Sequence, residues 1–436
     1  MKNRRGPQRF SDLVTRAFLP VLSAAALVAA AIALRPSVPR RKLLLLPPGV
    51  TEVRSEILVE GATEVCGAAS GSVLRAAPGF SGRALIVVRG DGVLLRDFAI
   101  DGNRAALETR SGLPPSNVPF ARFTRGNGVL AEGVSDLSIE RVRFREIAGF
   151  AVVASRSRQV TVEAVQVAAS GSRNAAGRNN TTGGIVFEEG STGFGVSACL
   201  FRDIRGNGLW THSLYTSPRN SRGWFARNRF ENIGRDAIQV GHATDVRVEE
   251  NSGVRIGFPA ADVDIENLAV PVGIDTAGNV ERCTYAGNLF REINGKCIDL
   301  DGFHNGEIRG NVCTSLGNFG IVMNDSNPDM QSRNIRILDN LVDGAAFGGI
   351  FAIGTGHWIA RNRLLNLNTS HHPGEPDILR SGIYLGEGAE RPAPARGNVI
   401  ERNEITGFEM DRRCIGLAPG IQPGWNKVRK NVCRAQ

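Results

Sequence analysis

The eleven residues from Asn294 to His304, NGKCIDLDGFH, place a lysine, two aspartates two apart and a histidine in one short span. Carboxylates at that spacing can divide acid and base work, and an acidic group can hold Ca2+. A lysine among them can act as a base if its pKa is depressed. Lys296 is the only lysine between Lys42 and Lys427, in a chain that otherwise draws its positive charge from arginine. Its isolation hints at a task that a guanidinium, which stays protonated, would not perform. Whether these side chains converge depends on the elements that carry them.

The chain has 436 residues with 52 glycines, 6% aromatics and 22% charged residues, which excludes a disordered or an all-membrane class. Its formal charge is +9, but residues 1–42 alone contribute +8, from nine Lys/Arg against the single acid Asp12. The remainder is close to neutral, so bulk charge gives no case for nucleic acid. The same basic terminus frames an apolar run of 18 residues, Ala17 to Leu34. That pattern fits an export signal and is just long enough to span a bilayer as an anchor. The expected division is therefore a signal peptide or membrane-anchor helix with basic flanks over 1–42, then an exported domain over 43–436. Membrane contact is expected only through the first part, and cleavage stays open. Neither a nucleotide loop, a Cys-x-x-Cys zinc pair nor a Gly-x-Ser-x-Gly elbow occurs.

From about Leu43 helical periodicity gives way to a recurring phrase. An apolar residue is followed three positions later by asparagine, at Asn228, Asn251, Asn288, Asn311, Asn340, Asn362, Asn403 and Asn431. A small residue followed by an aliphatic one recurs about ten residues further on, at Ile238, Ile298, Ile321 and Ile350. One repeat takes about 23 residues where no loop intervenes, the mark of a β-rich solenoid. The expected fold is all-β, a right-handed parallel β-helix of about twelve turns starting near Ile86 and ending after Ile415. The asparagines should stack in one inward column, each amide bonding its neighbours above and below. Of the seven cysteines, Cys297/Cys313 and Cys414/Cys433 hold matching repeat positions. Export would permit disulfides there, and buried free thiols fit equally.

On these repeats, and on the stretch RDFAIDGNR from Arg96 to Arg104, residues 45–436 resemble the single-stranded right-handed parallel β-helix, or pectate-lyase-like, superfamily. The resemblance implies a scaffold used by polysaccharide lyases, polygalacturonase-like hydrolases, uronan epimerases, tailspikes and non-catalytic surface proteins. No family within it is identified.

Long insertions flank the aliphatic strand, around 110–126, 170–183, 213–223, 257–271 and 369–381, and none separates the other strand from its asparagine. They should wall a groove over one strand face. Strand alternation, with Ile298 and Leu300 inward, gives two outward columns. The first runs Val186, Trp210, Gln239, Asp275, Asp299, Val322, Phe351, Tyr384; the second includes Glu188, His212, Asp301 and Asn324. Asp275 should then stack over Asp299, with Asp301 on the same face and His304 on the following turn. These four and Lys296 are the expected catalytic residues. Exposed Trp210, Phe351 and Tyr384 suit stacking on sugar rings, and His212, Gln239 and Asn324 should line the same groove. Asp299, Asp301 and Asp325 are the candidate Ca2+ ligands.

Three functions fit. A polysaccharide lyase or uronan epimerase would remove the proton beside a uronate carboxylate, with Lys296 as base and Ca2+ as counter-charge. An inverting glycoside hydrolase would divide acid and base between aspartates, although the combined signatures of polygalacturonase-like enzymes are missing. A non-catalytic glycan-binding or envelope protein needs no site at all. In each case the partner is a polysaccharide or glycan, and the oligomeric state is not legible.

Overall fold

The computed structural model describes residues 41–264, 270–326, 330–372, 377–388 and 391–436. The hydrophobic run Ala17 to Leu34 lies outside them. Among the described residues no helix is long and apolar enough to cross a membrane.

Three parallel sheets wind from Lys42 to Ala435. The first holds 14 strands, from Lys42–Leu45 to Lys427–Arg429, and the second 14, from Gly49–Val53 to Val432–Ala435. The third runs from Ile57–Val59 to Ile415–Leu417. Each turn contributes one strand to each sheet, so the chain forms a right-handed parallel β-helix. Counted along the third sheet from Ala84–Val88, which holds Ile86, the turns number twelve, as the repeat implies; one more rung, Ile57–Val59, precedes them.

The corner between the first and second sheets explains the asparagine phrase. It consists of two residues, a left-handed one and then the asparagine. Arg227, Glu250, Gly287, Gly310, Asp339, Arg361, Arg402 and Lys430 all have φ between 54° and 63°. Each asparagine Oδ1 accepts the side-chain Nδ2 of the one before it, at 2.8–3.0 Å, from Asn228 to Asn431. It also accepts that neighbour's backbone N–H, at 2.9–3.0 Å. Nδ2 bonds a strand carbonyl as well, as Asn311 does to Tyr285 at 2.9 Å. A corner with every polar group satisfied tolerates no insertion.

Inside, Ile238, Ile274, Ile298, Ile321 and Ile350 are buried to 1% exposure or less, one above the next in register. Disulfides join Cys297 to Cys313 and Cys414 to Cys433, while Cys66, Cys199 and Cys283 are buried free thiols.

Candidate functional site

The outward column of the third sheet stands as the alternation predicts. Val186 pairs with Trp210, Trp210 with Gln239 and Gln239 with Asp275. Ile274 pairs with Ile298, which puts Asp275 and Asp299 on adjacent rungs about 4.8 Å apart. Asp299 then pairs with Val322, Val322 with Phe351 and Phe351 with Tyr384. Before Val186 the same column continues back through Val153, Leu130 and Val87. Only Gln239, Asp275 and Asp299 in this long column carry amide or carboxyl groups. A sheet face needs none of them for folding, and adjacent like charges cost stability unless offset.

The offsetting charge comes from the first residue of the Asp299 strand, Lys296–Asp301. Lys296 Nζ lies 2.5 Å from Asp299 Oδ2. Asp236, one rung before Asp275, is buried and accepts the Val272 N–H at 2.8 Å. Gln239 links the cluster to Asn207: its Nε2 donates to Asp275 Oδ2 at 2.7 Å and its Oε1 accepts Asn207 Nδ2 at 2.7 Å. Arg235, Asp236, Gln239, Asp264, Asp275 and Asp299 line a cavity of about 100 Å³, closed on one side by Val263, Val270 and Pro271. Arg173 and Asn174 hold this closing segment through Asp262 and Asp264, each at 2.8 Å. The insertions 170–183 and 257–271 are therefore joined beside the cavity.

Burial, then the charges of Asp236 and Asp299, push the Asp275 carboxyl well above its ordinary range. Burial lifts Asp236 to about 6. Burial alone would depress the Lys296 amine, but Asp299, Asp275 and Asp236 outweigh it and raise its pKa. This corrects the expectation of a depressed-pKa lysine base, because the three carboxylates hold the proton on the amine.

Other expected members stand apart from the cluster. His304 is buried at 5% exposure, with Nδ1 on the Gly302 carbonyl at 3.1 Å, and the charges around it are Glu281, Arg333 and Arg219. Gly302 causes the departure. Its φ of +68° turns the chain out of the strand, and a Cβ there would meet the Gly278 carbonyl oxygen at 2.3 Å. Asp301 keeps the predicted face but binds Ser326, accepting its N–H at 2.8 Å and its hydroxyl. Asp325 is buried at 3% exposure, with its N–H on Asn324 Oδ1 at 2.9 Å. Asp299, Asp301 and Asp325 do not bring their ligand atoms within 4.8 Å of one another, so the expected Ca2+ set is not assembled.

The expected sugar-stacking rings also need correction. Trp210 is 7% exposed, beneath Phe120 at 4.9 Å between ring centroids, in a second apolar cluster with Phe150 and Val186. The insertion 110–126 folds over the strand face here instead of standing beside it. Phe351 is 9% exposed and packs into the main core, stacked at 6.0 Å on Tyr384, which is half-buried. His212 is half-buried against Phe120 and Trp210, and burial lowers its pKa to about 4, leaving a neutral ring.

Sequence reasoning passed over Asp236, Arg235, Asn207 and Asp264. Asp236 has a visible signal: with Asn207 and Lys296 it occupies the position two before the inward aliphatic, a third column beside the two that alternation supplies.

No protein-family model matches the chain, and no curated protein matches it in sequence. Solved structures do. The Dettilon tailspike protein aligns at 14% identity and TM-score 0.55, over 92% of this chain, which spans 66% of the tailspike. The periplasmic alginate epimerase AlgG aligns at 14% identity and TM-score 0.51, over 88% of this chain and 78% of its own. A hyperthermoactive exopolygalacturonase from Thermotoga maritima aligns at 12% identity and TM-score 0.51, over 71% and 80%. Likeness at these identities concerns the fold alone: the chain shares the right-handed parallel β-helix fold with these proteins.

Proposed function

We propose that this chain is an exported carbohydrate-active enzyme that binds a polysaccharide over its third sheet and cleaves it by general acid–base catalysis. One observation carries the reading. Two carboxylates on adjacent rungs have opposite environments: half-buried Asp275 stands beside other acids and is pushed towards its neutral form, while Asp299 is paired with Lys296. A carboxyl held towards its neutral form beside a carboxylate that has its own cation suits a division into acid and base. Asp275 then protonates the leaving glycosidic oxygen and Asp299 serves as the base. The polysaccharide activities in the names of AlgG and the exopolygalacturonase agree with that substrate class. The basic, apolar N-terminus and the two cysteine pairs support export.

Proton abstraction beside a uronate carboxylate, by a lyase or an epimerase, is the second reading. Lys296 within the cluster and Arg235 on the cavity wall favour it, since a guanidinium matches a carboxylate. It requires Lys296 to release the proton that three aspartates hold on it. Calcium enters only here, as a cation that would offset those aspartates.

The test is a panel of polysaccharides offered to the purified protein with and without Ca2+. New reducing ends without ultraviolet absorbance are expected. An unsaturated, absorbing product identifies a lyase, and altered uronate configuration by NMR an epimerase. Binding with no product would remove both enzymatic readings in favour of a glycan-binding protein.

A further inference from the structure

Further towards the N-terminus the same sheet carries a second cluster of ionisable groups, independent of the catalytic reading. Glu188, Glu189 and His212 bring one ligand atom each to within 4.8 Å of one another. Glu188 is fully buried and Glu189 is 5% exposed. Among the described residues no lysine or arginine pairs with either glutamate. Two buried carboxylates side by side without a cation are costly.

The glutamates gather the loops of both flanks. Glu188 accepts the N–H groups of Phe120 and Ala121, at 2.8 and 2.9 Å, from the insertion preceding the strand. Glu189 accepts the Leu214 N–H at 2.8 Å and the Ser217 hydroxyl, from the insertion that follows His212. A separate observation concerns an orphaned atom. His212 Nδ1 is buried without a hydrogen-bond partner. Buried polar atoms in folded proteins are nearly always satisfied, so an orphan on the imidazole beside a carboxylate pair points to a missing ligand.

We propose that Glu188, Glu189 and His212 bind one divalent transition-metal ion, of the zinc or manganese class, that clamps the two loops across the end of the groove. A dipositive ion balances the two carboxylates. The imidazole nitrogen selects this class over calcium, which prefers an all-oxygen shell. Bonds of about 2.0–2.2 Å would draw the three donors inward from their present spread and leave a fourth position for water. The Phe120 and Trp210 rings, both 5.2 Å from that of His212, shield the site from bulk solvent.

The experiment uses the full chain, stripped with chelator and titrated with zinc chloride in a calorimeter, with metal content measured by mass spectrometry. One equivalent should bind at micromolar affinity or better, raise the melting temperature and protect 213–223 from proteolysis. His212→Gln and Glu189→Gln should each weaken binding by roughly tenfold or more, and calcium should not compete. His212→Gln is the deciding variant where Glu189→Gln does not fold, provided its metal-free melting temperature matches the parent. No zinc bound at about 100 μM, or unchanged affinity in the His212→Gln variant, would overturn the assignment.

Discussion

The Nε2 of Gln239 stands 2.7 Å from Asp275 Oδ2, and the amide cannot turn around because its Oε1 is committed to Asn207 Nδ2. A protonated Asp275 must therefore carry its proton on Oδ1, the oxygen left for a substrate. Gln239→Leu removes this orientation while keeping the carboxyl in place. It should lower kcat by about 10- to 100-fold with a smaller change in KM, within the range typical of acid–base groups. Steady-state kinetics on the first cleaved polysaccharide checks this. A change confined to KM would make Gln239 a binding residue instead.

Lys296→Arg separates the two readings of the reaction. If Lys296 serves as the counter-charge of Asp299, arginine preserves that charge and activity should stay within about tenfold of the parent. If the amine accepts the substrate proton, the variant should lose nearly all turnover, because guanidinium stays protonated near neutral pH. Lys296→Met leaves Asp299 without its cation and should impair activity on either reading, so it serves as a positive control.

Asp236 makes stability depend on pH in a direction opposite to that of a salt-bridged aspartate. Its folded pKa of about 6 exceeds the unfolded value of about 3.9. The folded chain thus holds the proton more tightly, and the stabilisation present below pH 4 is lost as pH rises towards 6. Asp236→Asn keeps an acceptor for the Val272 N–H without the charge. It should stabilise the protein by about 1–3 kcal/mol at pH 7.5 and by little at pH 3.5. Denaturant melts at both pH values read the difference, and equal effects at the two would place the penalty elsewhere.

The scaffold was legible because the tightest corner repeats without insertion. Eight asparagines at one offset from an apolar residue leave little choice but a buried ladder. Alternation then carried the outward column from Val186 to Tyr384 without a register error. Three features were not legible. The closure of 110–126 over Trp210 joins residues 90 apart, which no local period records. His304 left the cluster because one positive-φ glycine, Gly302, resets the alternation behind Asp301. Asp236 shares with Asn207 and Lys296 a column visible in the repeat, but strand parity assigns no direction on a corner, so its facing the Asp275 cavity could not be read.

The ladder makes the most direct prediction about stability. Asn311 Oδ1 accepts both the backbone N–H and the Nδ2 of Asn288, and its own Nδ2 reaches the Tyr285 carbonyl and Asn340 Oδ1. Asn311→Leu leaves these buried groups unpaired and forces a branched side chain into a filled corner. Each unsatisfied buried group costs about 1–3 kcal/mol, partly relieved by relaxation, so a net loss of about 3 kcal/mol or more is expected. Asn431 is the contrasting case. It accepts from Asn403 in the same way, but it is half-buried on the last rung, and water can replace what it loses. Asn431→Leu should cost about 1 kcal/mol or less. Urea melts of the two variants provide the comparison. Equal losses would mean that the ladder's stability comes from the corner backbone and not from its stacked amides.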